Sequence, residues 1–311
     1  MVGKDMSRFG VPVYFNDPTS LLQKCAQSME YNYLLDLAAK EQDPVRRHAL
    51  VAVHVVTTLT ICERTATKPF NPLLGETFEF VTDDFEYLAE QVTHHPPVTA
   101  CYCKGRKSNY LYQTNQKTNI KFSGKNLLMS QQFRAYVDLP DYNERYEVEF
   151  PIMSLHNFII GTPYIDIGET MKIHKSDSNQ KVIINFHRRG WFGKDKDVAK
   201  LEGEVCLETD ASKKKKKYEP LMAITGNWNG EIYLQAIKPS KGESQMVWKK
   251  APYPEQADMM YGMSHFSLQM NYFPSWLHNK VAPTDTRRRP DQRALENGDM
   301  KAAAENKDFI E

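Results

Sequence analysis

Two adjacent histidines stand against two prolines in Glu90-Gln91-Val92-Thr93-His94-His95-Pro96-Pro97, directly after a strand-like run. Each proline fixes its own φ and pushes the preceding residue out of the helical region, so His95 is expected to be extended. Two stiffly presented imidazoles can donate hydrogen bonds to an anion such as a phosphate. A bare pair of this kind also reads as a solvated strand end. Zinc is poorly served, because neighbouring side chains on a strand point to opposite faces and no third ligand sits at a metal-like spacing. A second segment, Lys68-Pro69-Phe70-Asn71-Pro72-Leu73-Leu74-Gly75-Glu76-Thr77, reads as a rigid turn carrying a cation and an amide. Pro69 and Pro72 hold Lys68 and Asn71 out of the helical region, and Gly75 permits a positive φ. Lys68, Asn71, His94 and His95 are therefore candidates to converge on one anionic head group. The rival chemistry is hydrolysis with His94 or His95 as general base and Glu90 as its partner. No Gly-x-Ser-x-Gly nucleophile motif supports it.

Taken together, the two segments resemble the oxysterol-binding protein related family, whose signature reads Glu-Gln-Val-Ser-His-His-Pro-Pro. Here Thr93 replaces the serine and keeps the hydroxyl. Phe15-Asn16-Asp17-Pro18-Thr19-Ser20-Leu21-Leu22-Gln23, Gly190-Trp191-Phe192-Gly193-Lys194, Ile224-Thr225-Gly226-Asn227-Trp228 and the closing stretches Pro283–Arg287 and Arg289–Arg293 resemble further family motifs, so the likeness covers nearly the whole chain. Val2 to Phe9 resembles the second half of the family's lid. Lys307 and Glu311 match the first two members of a Lys-x3-Glu-x3-Arg helix pattern, whose arginine would fall beyond the last residue. By themselves, these two residues read as an ordinary surface ion pair.

The resemblance implies a mainly β, α+β fold. It is a large antiparallel, incompletely closed β-barrel enclosing a lipid tunnel, with N-terminal helices and a C-terminal helical segment. As one domain it divides into a partial lid (1–16), helices (17–63), barrel (64–250) and C-terminal segment (251–311). The function implied is non-enzymatic transfer. A sterol or phospholipid in the tunnel is exchanged for phosphatidylinositol 4-phosphate between membranes, and sensing without transport is the alternative. His94 and His95 would bind the 4-phosphate, Lys68 and Asn71 the bridging phosphate region, and Lys307 with Glu311 the inositol side. No cofactor is implied. The expected protein is a cytoplasmic monomer touching anionic organelle membranes transiently.

The positioning elements follow from local pattern. Asp17-Pro18 reads as an N-cap with proline at the first helical position. Leu21, Leu22, Cys25, Met29, Leu34, Leu35 and Ala38 form a helical stripe, and Asp43-Pro44 repeats the start signal. Ala49 to Ile61 continues as a mostly apolar helix, interrupted by His54 and Thr57 and too short to span a bilayer. From Phe78 to about Lys249 the pattern is strand-like, punctuated by Asp83-Asp84, Lys104-Gly105-Arg106, Ser123-Gly124-Lys125 and Pro140-Asp141-Tyr142-Asn143. So many sequential strands must curl or close to protect their edges. Asp299 is placed at the start of a helix after the Asn297-Gly298 break.

Composition sets the outer limits. With 311 residues, 41% apolar content and a formal net charge of +1, a core is available and no global field favours nucleic acid. The five cysteines form no disulfide framework or zinc pattern and read as reduced packing residues, with Cys101 and Cys103 on one strand face. No signal peptide is visible. Lys213 to Lys217 reads either as a solvated hairpin tip or as a contact with anionic membrane.

Overall fold

The computed structural model describes residues 12–64, 67–123, 126–131, 134–156, 164–188, 199–209 and 218–310, with the backbone alone for 117–123 and 126–131. The expected lid piece 2–9, the Gly190–Lys194 motif, the lysine run 213–217, the 124–125 turn and Glu311 lie outside the described residues.

After a 3₁₀ turn (Val13–Phe15), a short strand β1 (Asn16–Ser20) leads into helices α1 (Leu21–Ala26), α2 (Tyr33–Lys40) and α3 (Pro44–Thr57). This corrects the expected helix start. Asp17 is no N-cap. It is buried in β1, where its carboxylate pairs with Arg64 at 2.7 Å and accepts from Thr19 N at 3.1 Å. The cap is Ser20, which forms a capping box with Gln23. Asp43 does cap α3, accepting from Val45 N at 2.9 Å with Pro44 at the first turn.

Residues Arg47 to Thr57 of α3 are all buried. A helix buried on every side belongs inside a core, and α3 packs against α2 and three barrel strands. Its continuation to Glu63 gives 20 residues that are long and apolar enough to cross a membrane by composition alone, correcting the expectation that this segment is too short. Its most apolar window is 78% buried within the protein. The polar interruptions are absorbed locally: Thr57 Oγ1 donates to His54 O at 2.7 Å, and His54 Nδ1 lies 3.4 Å from Tyr31 O.

After α3 the chain becomes β2 (Lys68–Phe70), which pairs in parallel with β1, so Lys68 sits on a short strand and not in a turn. Then come β3 (Thr77–Val81), β4 (Phe85–His94), β5 (Pro97–Gly105), β6 (Leu111–Ser123), β7 (Asn126–Gln131), β8 (Arg134–Leu139), β9 (Glu144–Glu149) and β10 (Ile152–His156). The series ends with β11 (Tyr164–Gly168), β12 (Thr170–Lys175), β13 (Gln180–Phe186), β14 (Lys200–Glu208), β15 (Tyr218–Asn227), β16 (Glu231–Ala236) and β17 (Gln245–Lys249). Strands β3 to β17 make one fifteen-stranded sheet, with β7, β10 and β11 branching from the second half of β6. The main path keeps almost every strand beside a near neighbour in sequence, and its pairings among the described residues are antiparallel. Among the described residues, no pairing joins β3 to β17, so hydrogen bonds do not close the sheet. Alternation fills the interior: Phe85, Tyr87, Ala89 and Gln91 of β4 are buried while their neighbours face outward. Cys101 and Cys103 are both buried, as their shared face requires, and all five cysteines are free.

Helices α4 (His265–Gln269), α5 (Ser275–His278), α6 (Pro290–Glu296) and α7 (Met300–Ile310) follow the sheet. Gly298 takes φ +80°, and Asp299 then caps α7 by accepting from Ala302 N at 2.9 Å, as expected.

Candidate functional site

The β4–β5 pairing aligns His94 with Pro97, so His95-Pro96 forms a two-residue hairpin turn. Thr93 Oγ1 donates to Pro96 O at 2.5 Å and closes that turn. This gives the hydroxyl at position 93 a local task that threonine performs as well as serine. The hairpin also changes the geometry expected of neighbouring strand residues. The His94 and His95 rings do not point to opposite faces; their centroids lie 4.7 Å apart at 55°. His95 is exposed and His94 half-buried. His94 Nδ1 is shielded from solvent and, among the described residues, has no hydrogen-bond partner. A buried polar atom without a partner costs about 1–3 kcal/mol, and a ligand oxygen there would remove that cost.

The second segment is fastened to the first through the backbone. Gly75 N donates to Gln91 O at 2.9 Å, and Gln91 N donates to Glu76 O at 3.0 Å. Gln91 is itself pinned, its Oε1 accepting from Thr99 Oγ1 at 2.6 Å. Gly75 takes φ +76°. A Cβ there would meet nothing within 4 Å, so the demand for glycine is conformational and not steric.

Arg289 clamps this turn from beneath. Its Nη1 donates to Asn71 O at 2.6 Å and reaches Glu76 Oε2 at 3.0 Å, while its Nη2 pairs with Asp291 at 2.6 Å. Glu76 Oε2 also accepts from Leu73 N at 2.9 Å. Arg289, Glu76 and Asp291 are buried, and the guanidinium lies 5.4 Å from the Phe70 ring centroid. A planar fork with several donors suits this task where lysine would not. Arg289 was legible only as part of a family-like stretch. Its contact with Glu76 spans 213 residues, and the local signal is no more than an Arg-x-Asp spacing.

Lys68 and Lys307 come to the same region by different routes. Lys68 is half-buried on β2, where Asn16 Nδ2 donates to its carbonyl at 3.0 Å. Phe70, two residues on, shares a small apolar cluster with Val13, Leu295 and Ala303. Lys307 lies one turn after Ala303 on the same face of α7 and is only 7% exposed. That burial sets aside the surface ion pair as its role. Six residues were candidates. The structure ties the end of the Lys68–Gly75 segment to β4 three residues before His94, holds Asn71 to the same segment through Arg289 and Glu76, turns the Lys307 face of α7 toward β2, and leaves Glu311 outside the described residues. Glu90, the partner hydrolysis would need, is exposed on the outer face of β4, and among the described residues no hydrogen bond joins it to either histidine.

A family model described as oxysterol-binding protein matches residues 1–311. Oxysterol-binding protein-related protein 1 of Mus musculus is 31% identical over 351 aligned residues, covering 100% of this chain and 36% of the relative. Oxysterol-binding protein homolog 1 of Saccharomyces cerevisiae is 31% identical over 340 residues, covering 100% of this chain and 27% of the relative. The chain thus spans well under half the length of these relatives. The Osh1 ORD domain, solved in complex with ergosterol, superposes with a TM-score of 0.85 at 30% identity, covering 100% of this chain and 75% of that one. The Osh3 ORD from Saccharomyces cerevisiae, solved in complex with PI(4)P, superposes with a TM-score of 0.83 at 27% identity, covering 98% and 78%. By sequence over its full length, and by an unclosed antiparallel barrel shared with lipid-bound neighbours, this chain belongs to the oxysterol-binding protein family.

Proposed function

We propose that this chain is a lipid-exchange module. It holds one lipid at a time in a tunnel within the barrel and trades a sterol or phospholipid for phosphatidylinositol 4-phosphate between membranes. The observation that carries this is the His94–His95 hairpin, fastened to the Lys68–Gly75 segment and presenting a shielded, unpartnered His94 Nδ1. His94 and His95 take the 4-phosphate, Lys68 and Asn71 the bridging phosphate region, and Lys307 with Glu311 the inositol side. Burying acyl chains is worth roughly 0.8 kcal/mol per methylene, which offsets most of the cost of leaving a bilayer. Selectivity then falls to the head group. No bond is made or broken in such a cycle, and the working place is the cytoplasmic surface of organelle membranes. The complexes of related domains with ergosterol and with PI(4)P support the two ligand classes.

The test is extraction of phosphatidylinositol 4-phosphate from liposomes by a His94→Ala/His95→Ala double variant. Loss of charge-assisted hydrogen bonds to phosphate costs about 1.5–3 kcal/mol each, so extraction should fall below detection while sterol or phospholipid loading persists. Undiminished phosphoinositide extraction by the folded double variant would overturn the site.

A further inference from the structure

We propose that Leu74 and Val92 form an apolar wedge that seats the barrel mouth in a lipid bilayer regardless of the bilayer's charge, which rests on the lipid-exchange function above. Leu74 stands at the tip of the Asn71–Gly75 turn and is 67% exposed, and Val92 is 41% exposed. Each is one residue from the Gly75 N to Gln91 O bond, so the two lie side by side on the rim that carries the candidate head-group residues.

Single exposed apolar side chains are ordinary on protein surfaces. These two are distinguished by how firmly they are presented. Leu74 follows Leu73, whose N–H and C=O are both bonded to the buried Glu76, which Arg289 holds in turn. Val92 sits where the β4–β5 register shifts between Gln91 and Thr93, so that Gln91 is buried while Val92 and Thr93 both face out. The rim also carries the exposed carboxylate of Glu90, and the whole chain has a formal net charge of +1. Neither feature draws the mouth to an anionic surface. A lipid must cross between bilayer and protein beside the head-group residues, and that continuity names the bilayer as the occupant of this wedge.

The experiment uses the full chain with Leu74→Cys carrying an environment-sensitive fluorophore, the five native cysteines being buried. Vesicles of phosphatidylcholine alone, and of phosphatidylcholine with phosphatidylserine, are the probes. Emission should shift to the blue with both compositions. Leu74→Asp should lower vesicle partitioning about tenfold or more in both, the worth of burying one leucine, while Leu74→Met keeps it. Binding of a soluble short-chain phosphoinositide without vesicles should be unaltered in Leu74→Asp. If the parent protein fails to bind that soluble lipid, the exchange function fails, and the wedge is still decided by the vesicle data. A label that stays in water while the protein co-sediments, or partitioning of Leu74→Asp equal to the parent's, would overturn the wedge and move docking to another surface.

Discussion

The two ends of the barrel treat their charges in opposite ways. Strand register places Phe85, Glu144 and Gln180 at one end and His94 and Pro97 at the other. At the first end the Glu144 carboxylate receives Arg47 through two bonds, at 2.8 and 2.7 Å, and is also bonded by Lys175 and Tyr146. The Arg47 guanidinium lies 3.7 Å from the Tyr142 ring centroid. Here the charges satisfy one another and tie α3 to the strands. At the His94 end, the ion cluster of Arg289, Glu76 and Asp291 lies behind the rim and holds a turn in place. In front of it a histidine nitrogen has no partner among the described residues and a leucine is left in water. Buried ion pairs of one kind thus do two jobs, one stabilising and one presenting.

The largest expected effect breaks the presenting cluster. Arg289→Met strands two buried carboxylates and should destabilise the fold by about 3–5 kcal/mol, read from the urea midpoint. Because it also releases Asn71 and Glu76, it should weaken phosphoinositide binding under conditions where the protein is still folded. Arg47→Ala should cost somewhat less, about 3 kcal/mol, since Lys175 and Tyr146 remain on Glu144. It should leave phosphoinositide affinity unaltered. If both variants weaken binding equally, the division of labour between the two ends is wrong. Double substitution of His94 and His95 should not lower the urea midpoint, because removing the unpartnered His94 Nδ1 offsets the packing lost with the rings.

Acid should act through the buried histidines before it reaches the Glu144 carboxylate. Burial pushes His48 and His54 of α3 down from 6.5 to about 4. The unfolded chain therefore binds those protons first, and stability that is full above pH 6.5 declines as pH falls toward 4. Glu144 behaves as a second, lower step. Burial opposes its ionisation, but the hydrogen bonds from Arg47, Lys175 and Tyr146 outweigh burial and take it from 4.5 down to about 2. Its contribution is present above pH 4.5 and lost between 4.5 and 2. Chemical denaturation across this range should show the first decline flattened in a His48→Gln/His54→Gln variant and the second retained.

Much of the barrel was legible because its pairings are local. Asp83-Asp84 and Pro140–Asn143 mark hairpins whose strands are also neighbours in space. The start of the helical region was misread for the opposite reason. Asp17-Pro18 is a good cap by local rules, yet the Asp17 carboxylate is held by Arg64, 47 residues away. The Ser20–Gln23 capping box was present in the sequence and would have given the right start. At the site, residue types pointed to His94, His95, Lys68 and Asn71, but not to the means of holding them. Arg289 and Glu76 meet across the chain, and no periodicity reports a contact of that range. Nor could alternation on an ideal strand anticipate that a two-residue turn sets both imidazoles 4.7 Å apart.

The most direct test of lipid exchange is native mass spectrometry of sterol-loaded protein titrated with phosphatidylinositol 4-phosphate. If one tunnel serves both lipids, the sterol-bound mass should give way one-for-one to the phosphoinositide-bound mass, with displacement impaired by Lys68→Ala and sterol loading intact. A stable complex of one protein with both lipids would contradict the single tunnel and with it the exchange mechanism.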